Sequence, residues 1–302
     1  MVSNILTLCP SQFQDYALID SGHYLKLERW GQYITIRPEP QAVWDSKRSL
    51  KEWEDMAHVR FVSKSSSSGE WKKLKPMPDQ WQIEYKLKGR DEGEEIQRIR
   101  FRLGLTSFKH VGVFPEQAAN WDYITESISL LQSEKPKFLN LFAYTGGASL
   151  AARAAGAEVT HVDSIKQVVT WANENMQLSQ LDNIRWVVED ALKFVKREAK
   201  RGNKYQGIIL DPPAYGHGPT GEKWQLEDNI NEMMKAVLAL LDPHQHFLIL
   251  NAYSLGFSCM ILENLITTNS KWRNVETGEL YLQDGFEKRL PLGAFARMRT
   301  MK

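Results

Sequence analysis

Over the first hundred residues the apolar positions alternate with polar ones. HYLKLERW (23–30), QYITIRPEP (32–40), DQWQIEYKLKG (79–89) and EIQRIRFRL (95–103) each carry the two-residue period of a half-buried strand. The polar, glycine-containing RDEGE (90–94) suits a hairpin connection between the last two, and SKSSSSGE (63–70) reads as an exposed serine-rich loop. From about residue 137 the rhythm changes to a strand followed by a helix, repeated. KFLNLFA, AEVTHVD, NIRWVVED, YQGIILDPP and HFLILNAYS are the predicted strands. Between them lie an alanine-rich helix ended by Gly156, a helix over 164–180 with Ser164 placed to cap it, a helix from Ala191 ended by Gly202, and a helix around Glu227–Leu241. Alternation of this kind argues for a parallel sheet covered on both faces. The expected fold class is α/β: a doubly wound, Rossmann-like sheet (106–302) preceded by a smaller β-rich N-terminal domain (1–105).

Composition adds mainly exclusions. Hydrophobic content of 42% and charged content of 25% are those of a globular chain, and no apolar run is long enough to span a membrane. The N-terminus lacks the basic start and apolar run of a secretory signal, so a cytoplasmic protein is expected. Cys9 and Cys259 lie too far apart for a disulfide framework or a clustered metal site, and no metal is expected. Thirty-eight Lys and Arg against 37 Asp and Glu neither announce nor exclude a nucleic-acid partner. Trp30, Trp44, Trp53, Trp71 and Trp81 fall in the N-terminal region, where they serve either core packing or base stacking; packing is the expectation.

Ligands of open doubly wound sheets lie at the carboxyl ends of the strands. The first strand runs into AYTGGASL, where Gly146 and Gly147 allow close backbone approach ahead of a helix N-terminus, though paired glycines also simply turn a chain. Asp163 ends the second strand, where an acid can accept from both hydroxyls of a ribose or cap the next helix. The third ends in Glu189-Asp190, suited to an adenine amino group or to a cap. Asp211-Pro212-Pro213-Ala214-Tyr215 ends the fourth. Two prolines cannot extend a ladder, so the chain leaves the sheet as a stiff loop holding a carboxylate, free carbonyls and an aromatic ring at the ligand edge.

Together these strand ends resemble class I S-adenosylmethionine-dependent methyltransferases. More narrowly they resemble the bacterial 23S ribosomal RNA methyltransferase group that includes cytosine-5 and guanine-N7 enzymes. The resemblance is carried by LNLFAYTGGASLAARAAGAEVTHVDSIKQVVTWANENM, by DALKFVKRE with YQGIILDPPAY, and by VGVFPEQ (111–117). It implies S-adenosyl-L-methionine as cofactor, with Asn140, Phe142, Tyr144, Thr145, Gly146 and Gly147 around its methionine part. Asp163 and the adjoining Ser164 would hold the ribose, and Asp190 with Ala191 the adenine. Glu116 and Gln117 would reach over the cofactor. Asp211, Pro212, Pro213 and Tyr215 would form the acceptor floor near the methyl group, with Asp211 facing the cofactor as well. The implied partner is ribosomal RNA.

Two departures from the family pattern matter. Ala118 stands where relatives usually carry Arg. Tyr253, in Asn251-Ala252-Tyr253-Ser254, occupies the place of the cysteine that cytosine-5 enzymes add to the ring. The expected acceptor is therefore a base methylated without a covalent cysteine intermediate. A methyltransferase for protein or small molecules, and an S-adenosylmethionine-binding module without turnover, are the alternatives. A nicotinamide dehydrogenase is disfavoured, because AYTGGA lacks the G-x-G-x-x-G of that class. Lys193, Lys196, Arg197, Lys200, Arg201 and Lys204 offer a basic helix that reads as solvated surface or as a phosphate-binding face. GHGPTGEKWQLEDN after Tyr215 reads as a lid, with His217 either a base or a plain loop residue.

Overall fold

A computed structural model describes residues 5–10, 12–65, 68–87, 97–253 and 256–301. The N-terminal region holds β1 (Leu6–Leu8), β2 (Tyr16–Gly22), β3 (Leu25–Trp30), β4 (Tyr33–Pro38), α1 (Leu50–Met56), β5 (Val59–Ser63), β6 (Gly69–Lys73), β7 (Gln80–Lys86) and β8 (Arg98–Gly104). A 3-10 turn at Pro115–Gln117 leads into α2 (Ala118–Leu130), β9 (Lys137–Leu141), α3 (Gly147–Ala154), β10 (Glu158–Asp163), α4 (Lys166–Leu178), β11 (Ile184–Val188), α5 (Ala191–Lys200) and β12 (Gly207–Leu210). The chain continues through β13 (Tyr215–His217), β14 (Lys223–Gln225), α6 (Leu226–Leu238), β15 (Gln245–Ala252), α7 (Cys259–Thr267), β16 (Glu276–Gln283) and β17 (Arg289–Met301).

The large sheet has the order β1-β16-β17-β15-β12-β9-β10-β11. From β11 to β15 all neighbours are parallel, and the order reverses between β9 and its neighbours β10 and β12. That reversal opens a crevice at the carboxyl ends of β9 and β12. Period-two alternation sends successive residues to opposite faces. Phe138, Ile209 and Ile249 join one core with α2 and α3, whereas Leu139, Leu210 and Leu250 join another with α5, α6 and α7.

The parallel sheet expected from the sequence is in fact mixed. β16 and β17 add antiparallel to β15, and β1 adds parallel to β16, so the N-terminal strand closes the far edge of the C-terminal sheet. The β7–β8 hairpin packs its Ile83, Tyr85, Ile99 and Phe101 into the same core as Trp121 and Leu150. It is also stitched to α4, where Arg102 N donates to Asn175 Oδ1 at 2.8 Å and Trp171 Nε1 to Arg102 O at 2.8 Å. The five N-terminal tryptophans pack as expected: Trp30, Trp53 and Trp81 are buried, and Trp44 and Trp71 lie against the core.

Other expectations are corrected by local geometry. Ser164 does not cap α4; the cap position is Ile165, whose amide is taken by Asp163 Oδ1 at 3.0 Å. The connection at 90–94 lies outside the described residues, as do Ser66 and Ser67 of the serine-rich loop and Ser254. Four of the six basic residues in and after α5 are ion-paired: Lys193 with Glu222, Lys196 with Glu232, Arg197 with Glu189 and Arg201 with Glu198. Such pairing reduces the charge this face offers to phosphates. Among the described residues no helix is long and apolar enough to cross a membrane, and no group of His, Cys, Asp and Glu could hold a metal ion.

Candidate functional site

The loop after β9 owes its shape to backbone conformation. Phe142, Tyr144 and Gly146 all have positive φ, and Gly146 at +93° sits where a side chain is strained. Gly147 answers a different demand. A Cβ there would lie 2.5 Å from the Trp121 ring, so its hydrogen lets α3 start against that indole. Asp163 holds the loop from the neighbouring strand, its Oδ2 accepting from Tyr144 N at 2.9 Å while Oδ1 takes the Ile165 amide. Burial raises its pKa while these amides oppose the rise. Each carboxylate oxygen has a second lone pair to offer a hydroxyl.

Below the loop, Asn140 on β9 donates to Ser149 Oγ at 2.9 Å, and Ser149 meets His161 Nδ1 at 3.0 Å. Burial pulls the His161 pKa down to about 3, so this imidazole is neutral. Beside it, Asp211 closes β12. Gln117 Nε2 donates to Asp211 Oδ2 at 3.1 Å, and Gln117 Oε1 accepts from Asn120 Nδ2 at 2.9 Å and Asn251 Nδ2 at 3.3 Å. Burial pushes the Asp211 pKa up to about 7. Asn120 and Asn251 were not singled out for this network. Asn120 does lie three places after Gln117 at the start of a helix, a spacing that puts the two side chains on one face.

A cleft open to solvent joins these parts. Asn140, Phe142, Tyr144, Thr145, Gly146, Gly147, Gln117 and Asp211 line it, with apolar walls from Phe101, Val113 and Phe114. The remaining predicted residues stand outside this lining. Asp163 and Ser164 lie behind the loop, and Asp190 caps α5 by accepting from Lys193 N at 2.9 Å, with Ala191 buried beside it. Glu116 faces a neighbouring crevice instead. Pro212 is buried; Pro213 accepts from Trp224 Nε1 at 2.7 Å, so the 215–225 segment is a hairpin pinned over Phe142 rather than a loose lid. Tyr215 is 70% exposed and His217 is exposed on the same hairpin. Cys259 is buried at the start of α7, and Tyr253 donates its hydroxyl to Glu39 Oε1 at 3.0 Å.

An apolar-walled cleft with a glycine turn, a carboxylate behind it and a second at its floor fits a nucleoside joined to a charged chain. The family described as "Conserved hypothetical protein 95" matches residues 119–243. The ribosomal RNA large subunit methyltransferase K/L of Shewanella frigidimarina is 30% identical over 156 residues, half of this chain but 21% of its own length. A putative ribosomal RNA large subunit methyltransferase of Methanocaldococcus jannaschii is 30% identical over 143 residues, 47% of this chain and 34% of its own. The chain thus spans about a fifth to a third of these curated relatives. A putative methyltransferase from Streptococcus mutans, 15% identical with a TM-score of 0.71 over 96% of this chain and 76% of its own, shares the fold. The crystal structure of an S-adenosylmethionine-dependent methyltransferase from Agrobacterium tumefaciens superposes with a TM-score of 0.87, over 97% of this chain and 93% of its own, at 36% identity. That likeness runs through the β-rich region and the sheet alike, and on it the chain belongs to the S-adenosylmethionine-dependent methyltransferases.

Proposed function

We propose that the protein methylates a base of large-subunit ribosomal RNA, at a nitrogen or oxygen atom, without a cysteine adduct. The observation that carries this reading is Asp211: a carboxyl with a pKa of about 7, set at the cleft floor and followed by an exposed aromatic ring. The ribosomal RNA substrate is inferred from the named relatives over the part of the chain they match.

When bound, S-adenosylmethionine supplies a methyl group activated by its sulfonium. On this reading Asn140 and the loop from Phe142 to Gly147 hold its methionine part, Asp163 and Ser164 the ribose side, and Asp190 and Ala191 the adenine side. Gln117 spans between the cleft and Asp211. An amine, an N–H ring nitrogen or a hydroxyl that gains a methyl group must shed a proton, and a carboxylate with a pKa near neutrality is suited to accept it. Asp211 is given that role. Pro212 and Pro213 keep its loop stiff, and Tyr215 offers a face to a flat base. Tyr253 in place of a thiol, with Cys259 buried in α7, argues for direct transfer in which positioning does most of the work. The division at residue 105 into a β-rich domain and a methyltransferase domain belongs to the same proposal, as does cytoplasmic action.

Tritiated S-adenosylmethionine incubated with the protein and either a ribosomal RNA pool or a ribosomal protein pool tests the reading. Label in the RNA is the expected result; label in protein alone overturns it.

A further inference from the structure

Next to the cofactor cleft lies a second crevice, and Phe114 lines both. One wall is N-terminal, from Lys26, Arg37 and Glu39; the other comes from Lys109, Glu116 and Tyr253. The ionic groups on the N-terminal wall are committed to one another. Arg37 forks onto Glu28 at 2.6 and 2.8 Å, and Lys26 meets Glu39 at 3.1 Å. Two groups on the opposite wall are not. Glu116 is 4% exposed, yet its carboxyl has no hydrogen-bond partner in another residue among those described; burial raises its pKa to about 7. Lys109 is partly buried, and its ammonium makes no ion pair or hydrogen bond among the described residues. Burial depresses its pKa, with Lys26 and Arg37 adding to the effect and Glu39 opposing it. Neither group is among the sealed polar atoms of the interior; both line the crevice, where a ligand can meet them.

Tyr253 lines the crevice, and other exposed aromatic residues neighbour its walls or the cofactor cleft along the chain. Among the described residues the exposed aromatic side chains are Tyr24 (60%), Phe108 (55%), Tyr215 and Tyr253 (42%). Tyr24 O accepts from Glu39 N, Tyr253 donates to the Glu39 carboxylate, Phe108 adjoins Lys109, and Tyr215 follows Asp211 by four residues. Exposed rings near an unpaired cation suit single-stranded nucleic acid, because every base has a face to stack and every linkage a negative charge.

We propose that this crevice admits the acceptor strand, with Lys109 holding a backbone phosphate, Glu116 hydrogen-bonding the edge of the extruded base, and Tyr253 and the neighbouring exposed aromatic residues stacking its unpaired neighbours. The proposal rests on the RNA reading above and goes further, making the β-rich region half of the substrate site and moving Glu116 from the cofactor to the acceptor.

Fluorescence anisotropy of the full chain with a labelled single-stranded RNA of mixed sequence, over a salt series, tests it, alongside calorimetry of S-adenosylmethionine. Lys109→Met should weaken RNA binding about fivefold at moderate salt and flatten the slope of log affinity against log salt by about 0.7, the value for one phosphate contact. Lys109→Arg should restore both. Phe108→Ala should cost about fivefold or more through lost stacking. Cofactor affinity should stay unchanged in all three. RNA affinity and slope unaltered by Lys109→Met and Phe108→Ala, with the wild type binding RNA, would overturn the crevice assignment alone. A wild type that binds no RNA but labels protein would bring down the RNA reading and this inference with it.

Discussion

Asp211→Asn separates what the active site contributes to catalysis from what it costs in stability. Asp211 follows a fully buried strand, and its carboxyl is held at a pKa of about 7 by burial, against 3.8 for the free side chain. The folded protein therefore holds this proton more tightly than the unfolded chain does. The stabilising contribution is complete below about pH 4, is lost as pH rises toward 7, and is constant above that. At 1.36 kcal/mol per pKa unit, the full loss approaches about 4 kcal/mol, of which about 2 kcal/mol falls between pH 5.5 and 8.5. Asparagine keeps the shape and an oxygen for Gln117 Nε2 but cannot ionise. Urea unfolding at those two pH values should show the variant gaining on the wild type by about 2 kcal/mol as pH rises. Glu116 titrates in both proteins and largely cancels from the difference. Turnover should fall about a hundredfold or more while cofactor affinity changes little, since positioning and proton acceptance are lost together. A stability gap that does not change with pH would refute the assignment of a raised pKa to Asp211, and cofactor affinity falling as far as rate would move its loop into the cofactor site.

Gly147→Ala should destabilise the protein by about 1–3 kcal/mol in denaturant unfolding, because the new methyl group meets a Trp121 ring already stacked on Phe101; Trp121→Phe in the same chain should return part of that loss. Asp163→Ala should weaken S-adenosylmethionine by tens of fold in calorimetry, since about 2–3 kcal/mol of charge-assisted bonding goes with the carboxylate. It should also lower the melting temperature, because the Tyr144 and Ile165 amides lose their acceptor; unchanged affinity in a folded variant would remove the ribose assignment. Replacing both Cys9 and Cys259 by Ser should leave methyl transfer intact, whereas loss of turnover in a folded Cys259→Ser variant would restore the cysteine mechanism.

The parallel core was legible because its signal is local. Buried strand segments such as GIIL and FLIL are unbroken apolar runs, their helices carry a 3.6-residue stripe, and Gly156 and Gly202 follow the helix ends with positive φ. The loop after β9 and Asp211 were legible as strand-end features for the same reason, since strand ends can be counted along the chain; their part in binding the cofactor is proposed. Residues far apart in sequence that meet in space were not. Nothing in LTL at 6–8 says that it will pair with Gly278–Leu280, and nothing in β16 and β17 says that they turn antiparallel on β15. Such pairings depend on which edges the folded sheet leaves open. Glu116 marks the same boundary at the scale of one side chain. The VGVFPEQ resemblance placed it near the cofactor, but in the fold it lines a crevice shared with Lys26 and Glu39, from a distant part of the chain. Local pattern determines elements and candidate groups; only the tertiary arrangement decides which of them share a pocket, because burial and charge at a point sum over the whole fold.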